Sequence, residues 1–179
     1  LYRYLEEGAA GLMIPHVSTA EKARALVQAV KFPPLGDRGL DNAGFDSDYR
    51  ITSDNIKYTE WANRETFLVV QIETPEAVEN VEEIAAVPGV DMLFVGPGDL
   101  GLRYQLAGDT DGTMLEAAFV TVAAAAKRHG VAWGCPSGTV DDMRKRRDQG
   151  AQLLANCGDF MLLRDGLDDS SAMFDEVER

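Results

Sequence analysis

The hydrophobic positions of this chain form five short apolar segments, which alternate with longer segments of helical periodicity. Apolar runs of this length, bounded by Gly, Pro and polar residues, are typical of β-strands buried in a sheet. The predicted strands are residues 11–17, 67–73, 91–95, 131–135 and 152–157. Because helical segments separate successive strands, the pattern predicts an α/β fold with a parallel sheet.

The helical segments carry start and stop signals. Residues 19–30 have apolar side chains at helical intervals, and Ser18 and Glu21 have the spacing of a capping box. Thr74 followed by Pro75 predicts the start of a helix that reaches about residue 86. Further helices are predicted at about 53–64, 113–129 and 160–177, with a short one after residue 99. The segment 31–51 is rich in Gly, Pro and Asp, which predicts a long loop.

Two architectures fit this order of elements: an open doubly wound sheet of five strands, and part of a (β/α)₈ barrel. In the strand 67–73, a period of two places Val69, Gln71 and Glu73 on one face and leaves the opposite face apolar. A face that becomes polar at the carboxyl end of a strand is typical of a barrel lumen at its catalytic rim. We therefore predict an α/β TIM (β/α)₈ barrel, incomplete here with about five strands, with residues 1–179 in a single domain.

Composition and charge exclude several classes of function. The chain carries 17 Lys and Arg against 30 Asp and Glu, and its net charge of −13 opposes binding to nucleic acid. No apolar run reaches the roughly 18 to 20 residues of a membrane span, so we expect a cytoplasmic protein without a membrane partner. Cys135 and Cys157 are far apart and lack metal-ligand spacing, and we expect both to be buried thiols.

Two carboxylates occupy positions suited to metal chemistry. Glu73 closes one predicted strand and Asp99 follows the next, so both belong to the carboxyl edge of the sheet. Adjacent strands lie about 4.8 Å apart, which allows both carboxylates to bind one hard divalent cation such as Mg²⁺ or Mn²⁺. The alternative is that each acid only favours the positive end of the helix that it precedes. The spacing alone leaves both interpretations open.

Other residues at this edge are candidates for binding substrate. The glycines of Gly96-Pro97-Gly98-Asp99 permit close backbone approach, and the N–H groups that open the next helix could receive a carboxylate or phosphate. Gln71 lies one pleat below Glu73 and could bind a ligand oxygen, or it could be a satisfied buried amide. His16 follows the first strand at a position able to touch substrate, although a lone histidine is more often structural.

The remaining candidates are basic residues. Arg38, in the loop 31–51, is either a solvated cation or an anchor that shapes the active-site mouth. His129 ends a predicted helix, where it is a favourable partner of the helix dipole. Lys31 and Lys57 fall in a loop and a helix rather than at strand ends, which speaks against catalysis through a lysine imine.

Four ordered motifs lie in about the first hundred residues. They are Gly8-Ala9-Ala10-Gly11-Leu12-Met13-Ile14-Pro15-His16-Val17, the Pro33-Pro34-x-Gly-x-Arg38-Gly39 loop, Gln71-Ile72-Glu73-Thr74, and Val87-Pro88-Gly89-Val90-Asp91 leading into Val95-Gly96-Pro97-Gly98-Asp99-Leu100. Together these motifs resemble those of the HpcH/HpaI aldolase family. Beyond Leu100 the resemblance rests mainly on the order of strands and helices.

The resemblance implies a metal-dependent class II pyruvate aldolase, which reversibly cleaves a 4-hydroxy-2-oxo acid to pyruvate and an aldehyde. It also implies a barrel whose last helix contacts a neighbouring subunit, usually in a hexamer. The family's metal-binding carboxylates correspond to Glu73 and Asp99, and the cation would be Mg²⁺, Mn²⁺ or Co²⁺. Gln71 would lie beside the metal and the substrate. The backbone of Gly96, Pro97, Gly98 and Asp99 would hold the carboxylate of pyruvate.

The sequence departs from the family pattern in two respects. Gly98 stands where the family commonly has alanine. The family's catalytic arginine and histidine lie on strands that precede the region matching Leu1, so neither can be assigned here. The resemblance therefore implies that this chain is the C-terminal portion of the aldolase barrel and lacks its N-terminal part.

Two alternative functions remain open from the sequence. A citrate-lyase-β-like acyl-CoA lyase shares the barrel and both carboxylates, although the Pro-Pro-x-Gly-x-Arg-Gly loop favours the pyruvate aldolases. A non-catalytic Mg²⁺-binding domain of doubly wound type would also accommodate five strands. Such a domain should be a monomer unaffected by pyruvate or oxalate, whereas an aldolase should be an oligomer stabilised by metal and an enolate mimic.

Overall fold

The structure is a computed structural model that describes residues 1–41, 43–49 and 54–177. Its first half contains α1 (Tyr2–Glu6), β1 (Gly11–Ile14), α2 (Ala20–Val30), a 3₁₀-helix (Phe45–Ser47), α3 (Asn55–Glu65), β2 (Phe67–Ile72), α4 (Pro75–Glu79) and α5 (Val81–Ala85). Its second half contains β3 (Met92–Val95), α6 (Pro97–Leu106), α7 (Thr113–His129), β4 (Ala132–Pro136), α8 (Val140–Asp148), β5 (Leu153–Ala155) and α9 (Asp159–Val177). Residue 51, the predicted loop end, and residue 53, the predicted start of α3, lie outside the described residues.

The strands form one parallel sheet in which each strand pairs with the next along the chain, in the order β1-β2-β3-β4-β5. A doubly wound sheet reverses its strand order at a switch point, whereas consecutive pairing is the connectivity of a (β/α)₈ barrel. The sheet curls into part of a barrel, which confirms the predicted incomplete α/β barrel. The doubly wound alternative is wrong, because that fold requires non-consecutive strands to lie side by side.

The two faces of the sheet differ in polarity, as the alternation of side chains in β2 predicted. One face packs against helices and is fully apolar; its buried side chains include Leu68, Val70, Ile72, Leu93, Val95, Trp133 and Cys135. Burial of each aliphatic side chain of this kind contributes about 1.5–3 kcal/mol. Val69 and Phe94 are also buried but lie outside this helix-side core. They share the opposite face with Gln71, which pairs in register with Phe94.

Helices α2, α5 and α7 cover the apolar face. The alanines of α7 that are buried, such as Ala125 and Ala126, allow this helix to lie close to α5, α6, β3 and β4. Helix α7 has the predicted bounds, and Gly130, the C-cap residue that follows it, has a φ of 68°. Glycine adopts this left-handed conformation without the clash that a Cβ atom would cause. The helix bounds predicted from the local sequence therefore agree with the observed helix and with the burial of its alanines.

Several predicted boundaries need correction. The strand predicted at 152–157 is Leu153–Ala155, and the short helix predicted after residue 99 begins at Pro97. The N-cap of α2 is Thr19, whose hydroxyl accepts the backbone N–H of Lys22, rather than Ser18. Ser18 instead hydrogen-bonds Thr74 at 2.9 Å, so it joins two helix starts. The predicted helix 74–86 is two helices that meet at Asn80, whose side chain donates to the carbonyl of Ser18. The strand predicted at 11–17 ends at Ile14, because the chain turns at residue 16.

The long loop after α2 returns the chain to the amino edge of the sheet. Arg38 is buried there, 2.7 Å from Asp46, and its guanidinium lies 4.5 Å from the centre of the Phe32 ring. Tyr58 donates its hydroxyl proton to the same carboxylate at 2.7 Å. Arg38 is therefore neither a solvated cation nor part of the active-site mouth. It anchors the loop at the end of the barrel where the strands begin, and residues at that end contribute to stability rather than to catalysis.

Lys31 is a second buried cation at the amino edge. Its ammonium group lies 2.9 Å from Asp91, just before β3, and donates to the carbonyls of Asn63 and Thr66, just before β2. These partners satisfy all three donors of the ammonium group. Lys31 therefore joins α2, α3 and two strand starts at the edge opposite to Glu73.

An ion-pair cluster joins α7 to α8. The buried Arg146 contacts Glu116 at 2.6 Å and lies 3.6 Å from the centre of the Phe119 ring. Lys145 contacts the second oxygen of Glu116, also at 2.6 Å. Hydrogen bonds from Arg146, and then from Lys145, lower the pKa of Glu116 to about 2. The cluster therefore stabilises the fold only while Glu116 is ionised.

Helix α9 carries apolar side chains that nothing in the described chain covers. No side chain of residues 159–177 is buried. The exposed apolar residues of this helix are Phe160, Met161, Leu162, Leu163, Leu167, Met173, Phe174 and Val177. Among the described helices, none is both long and apolar enough to cross a bilayer.

The two cysteines lie in different environments. Cys135, on β4, is buried as expected, and burial raises the pKa of its thiol. Cys157 is exposed, so the expectation that it is buried is wrong. It follows β5 in a left-handed conformation with a φ of 60°, beyond the reach of the core.

Candidate metal centre

Glu73 is held at the carboxyl edge of the sheet, directly after β2. Its residue is only 6% exposed, and its Oε2 atom accepts the backbone N–H of His16 at 3.0 Å. A carboxylate this deeply buried requires a partner, because loss of hydration disfavours the charged form. A single N–H donor leaves several lone pairs of this carboxylate free for a ligand.

Gly96 makes room for this carboxylate. A Cβ atom built at residue 96 would lie 2.8 Å from Cγ and 2.9 Å from Oε1 of Glu73. Both distances are shorter than van der Waals contact, so any larger residue here would displace the carboxylate. Gly96 has a φ of −97°, which other residues adopt readily. The close approach to Glu73 therefore explains why glycine suits this position.

Asp99 reaches the same edge from the next unit of the barrel. It lies in the first turn of α6, and its side chain is about half exposed. Arg103, one turn later, donates to Oδ1 of Asp99 at 3.3 Å and to its backbone carbonyl at 2.9 Å. Because the contact with the carboxylate is long and exposed, it holds the side chain only weakly.

The fold brings His16, Glu73 and Asp99 together. Each offers one donor atom, and the three atoms lie within 4.8 Å of one another. Two carboxylates and an imidazole are a donor set that suits a divalent first-row cation. The residues present therefore fit a divalent metal. The dipole interpretation also fits this placement, because Asp99 lies in the first turn of α6 and the Glu73 carboxylate lies against Gly96, the N-cap residue of the same helix.

The adjacent groups can receive an anionic substrate. The first backbone bond of α6 runs from the N–H of Leu100 to the carbonyl of Gly96, so the N–H groups of Gly98 and Asp99 have no acceptor in the described chain. Residue 98 has open space where a side chain would project. Gln71 is half-buried, and its amide has no hydrogen-bond partner among the described residues. The predicted candidates thus lie on β2 and α6 or directly after β2, toward the carboxyl edge of the sheet.

Sequence reasoning missed two neighbours of this centre and misjudged a third residue. Lys22 donates to the carbonyl of His16 at 2.8 Å, and Arg103 contacts Asp99. The spacing of Asp99 and Arg103, four residues apart on a helix, is a signal that could have found this pair. His129 does more than favour a helix dipole, because its Nε2 atom lies 2.8 Å from Glu82 on α5.

Comparisons with known proteins identify the family of this chain. A family model described as HpcH/HpaI aldolase/citrate lyase matches residues 1–166. A hydroxypyruvate/pyruvate aldolase of Sagittula stellata is 37% identical over 162 residues, which are 90% of this chain and 63% of that protein. A 2-dehydro-3,6-dideoxy-6-sulfogluconate aldolase of Pseudomonas putida is 37% identical over 163 residues, with 91% and 63% covered.

A solved structure gives the same result. The crystal structure of an HpcH/HpaI aldolase from Desulfitobacterium hafniense superposes with a TM-score of 0.89 and 33% sequence identity. The superposition covers 98% of this chain and 67% of that one. The chain thus spans 63% of the length of these two curated relatives and 67% of the solved structure. Its sequence motifs and its fold place it in the HpcH/HpaI aldolase/citrate lyase family.

Proposed function

We propose that the protein containing this chain is a carbon–carbon lyase that cleaves a 4-hydroxy-2-oxo acid reversibly to pyruvate and an aldehyde, with a divalent metal as cofactor. The observation that carries this proposal is the convergence of Glu73 and Asp99 beside the unpaired N–H groups that open α6. The relatives that are 37% identical are named as aldolases, which supports the reaction class. The domain that we propose, residues 1–179, is the C-terminal portion of the aldolase barrel.

The residues of this chain have separate roles in the proposed reaction. Glu73 and Asp99 would hold the cation, which we propose to be Mg²⁺, Mn²⁺ or Co²⁺. When bound, such a cation acts as a Lewis acid that polarises a carbonyl group and stabilises the charge that develops on its oxygen. The N–H groups of Gly98 and Asp99 would bind the substrate carboxylate at the positive end of α6. Gln71 would donate its amide to a substrate oxygen, and Gly96 and Pro97 shape the turn between these groups.

The positions of two lysines support metal chemistry over imine chemistry. A lysine that forms an imine must reach the substrate carbonyl with an uncharged amine. Lys31 lies at the amino edge of the sheet, ion-paired with Asp91, while Glu73 lies at the carboxyl edge. Lys57 is exposed on α3 and pairs with Asp54. Neither lysine can contact a substrate that is bound at the carboxylates.

The acyl-CoA lyase alternative receives less support from the comparisons. The relatives with 37% identity carry aldolase names, and the crystal structure with the TM-score of 0.89 is an HpcH/HpaI aldolase. The alternative of a non-catalytic Mg²⁺-binding domain depended on a doubly wound sheet, which the consecutive strand order excludes. We therefore retain the pyruvate aldolase as the proposed function.

The proposal is tested by the effect of ligands on thermal unfolding of the chain. Oxalate is a mimic of the pyruvate enolate. In the presence of Mn²⁺, oxalate at 100 times its Kd should raise the free energy of unfolding of the wild type by about 2.7 kcal/mol. In a chain of this size, that free energy raises Tm by about 5–10 °C. Glu73→Gln should lose this shift, because an amide cannot replace a buried anionic ligand. In the complete protein that contains this chain, a coupled assay should show loss of pyruvate release after chelation.

The matched control is Glu76→Gln, which makes the same chemical change three residues later on the exposed face of α4. This variant should retain the full shift produced by Mn²⁺ and oxalate. An equal shift in wild type and Glu73→Gln, or full pyruvate release after exhaustive chelation, would contradict the proposed mechanism.

We also propose that the protein assembles as an oligomer, a hexamer by resemblance, through α9. The exposed apolar side chains concentrated on this helix support the proposal, because large exposed apolar surface is typical of an interface. Light scattering of Leu162→Glu/Leu167→Glu should show a smaller assembly than the wild type. An unchanged mass would contradict the proposal. The cytoplasmic location expected from the sequence stays a prediction.

A further inference from the structure

His16 has an arrangement at the metal centre that an ordinary hydrogen bond does not explain. Its Nδ1 atom lies 3.4 Å from Oε2 of Glu73, beyond the 2.7–3.2 Å of a good N–H···O bond. The backbone N–H of the same residue already donates to that oxygen at 3.0 Å. The ring therefore faces a carboxylate oxygen whose hydrogen bond comes from the backbone of His16 itself.

The separation of these two atoms is suited to two ligands of one cation. Ligands about 2.1 Å from an ion are about 3.0 Å apart when they are at right angles and about 4.2 Å apart when they are opposite. The 3.4 Å between Nδ1 of His16 and Oε2 of Glu73 lies between these limits. The donor atom of Asp99 completes a group within 4.8 Å, and its exposed side chain can rotate to shorten the longest separation.

The backbone conformation of His16 places its backbone N–H and its Nδ1 atom beside the same carboxylate, that of Glu73. Its φ of 55° is in the left-handed region, which non-glycine residues seldom occupy. Lys22 holds the carbonyl of His16 at 2.8 Å, and the N–H is held by Glu73. With the main chain fixed on both sides, the ring is kept beside the two carboxylates.

We propose that His16 is a third protein ligand of the metal, bound through Nδ1, and that it makes the site select imidazole-binding cations over Mg²⁺. This inference rests on the proposed function, which supplies the metal and its two carboxylates. Carboxylates and water suit Mg²⁺ and Mn²⁺, whereas imidazole suits later first-row metals such as Ni²⁺ and Zn²⁺. A site with His16 therefore gains affinity for the later metals and gains little for Mg²⁺.

The test is calorimetric titration of the full chain with Ni²⁺ alone and with Mg²⁺ alone. The variant His16→Gly retains the left-handed backbone, the N–H given to Glu73 and the carbonyl held by Lys22, and it removes only the ring. We expect this variant to bind Ni²⁺ at least ~10-fold more weakly. Removal of a group that only hydrogen-bonds a metal ligand already lowers metal affinity by about 10–100-fold, and removal of a ligand should cost at least as much. The affinity of the variant for Mg²⁺ should change much less. Equal losses for both ions, or no loss, would overturn the proposal.

A second measurement detects the proposed bond between Nδ1 of His16 and the metal ion. The chain has two histidines, so nitrogen NMR of histidine-labelled protein gives two sets of ring signals. Addition of Zn²⁺ should shift Nδ1 of His16, and the signals of His129 should stay in place. His129→Gln is the matched control, because it removes the other imidazole and should leave both the shift and the Ni²⁺ affinity unchanged. Zn²⁺ binding without a shift of Nδ1 would show that His16 is not a ligand.

The two proposals fail in different ways. If Glu73→Gln abolishes Ni²⁺ binding but His16→Gly does not weaken it, the carboxylate site stands and the role of His16 is refuted. If neither substitution weakens Ni²⁺ binding, both the proposed metal site and the role of His16 are refuted.

Discussion

Adding one methyl group at residue 96 is expected to damage the metal centre without replacing any of its ligands. In Gly96→Ala, the new Cβ atom would meet Cγ of Glu73 at 2.8 Å and Oε1 at 2.9 Å. Ordinary van der Waals contact begins near 3.4 Å, so the Glu73 side chain must move by about 0.6 Å. Since Glu73 is buried, the backbone around it resists that movement.

The displacement is large on the scale of metal coordination. Ligand distances in a working site fall within about 0.2 Å of their ideal values, so a shift of about 0.6 Å weakens the bond from Glu73. We expect Mn²⁺ to bind Gly96→Ala at least ~10-fold more weakly. The overpacking itself should lower stability by about 1–3 kcal/mol, which lowers Tm by about 2–12 °C in a chain of this size.

Gly98→Ala provides the matched control, because it adds the same methyl group two residues later. The Cβ atom at residue 98 meets nothing within 4 Å, and residue 98 lies in α6, where alanine is favoured over glycine by about 0.5–1 kcal/mol. This variant should keep the Mn²⁺ affinity of the wild type and gain a few degrees in Tm. The reasoning fails if Gly96→Ala matches the wild type in Mn²⁺ titration and thermal unfolding, or if both variants lose affinity equally.

Three further predictions concern stability and thiol reactivity. The pKa of Glu116 is about 2 in the folded state and 4.5 without its partners, so the wild type should lose stability as the pH falls through this window. Glu116→Gln should lose less between pH 5 and pH 2 in urea unfolding, and an unchanged pH dependence would contradict the ion-pair account. Lys31→Ala should lower the free energy of unfolding by about 2–4 kcal/mol, since it leaves a cavity and unpaired carbonyls; a loss near zero in urea would contradict this. A thiol reagent should modify the exposed Cys157 in the native protein and Cys135 only after unfolding, and equal native rates would contradict the burial of Cys135.

Local sequence patterns predicted most of the elements correctly. The five strands and the helix 113–129 follow from periodicity, and periodicity depends only on near neighbours. The pattern of β2 also predicted that Glu73 belongs to a polar face. At the start of α2, a distant contact overrode a local signal. Ser18 has capping-box spacing, but its hydroxyl bonds Thr74, 56 residues away, and Thr19 caps the helix instead.

The sequence by itself determined the α/β class, the family motifs and the edge to which Glu73 and Asp99 belong, because each depends on residue type and short spacing. The polar face of β2 also favoured the barrel, which the consecutive strand pairing confirmed. Tertiary structure alone decided that Arg38 lies at the opposite edge and that His16 faces Glu73, 57 residues away. Such contacts depend on the curvature of the sheet and on where each loop returns, and no local period encodes either.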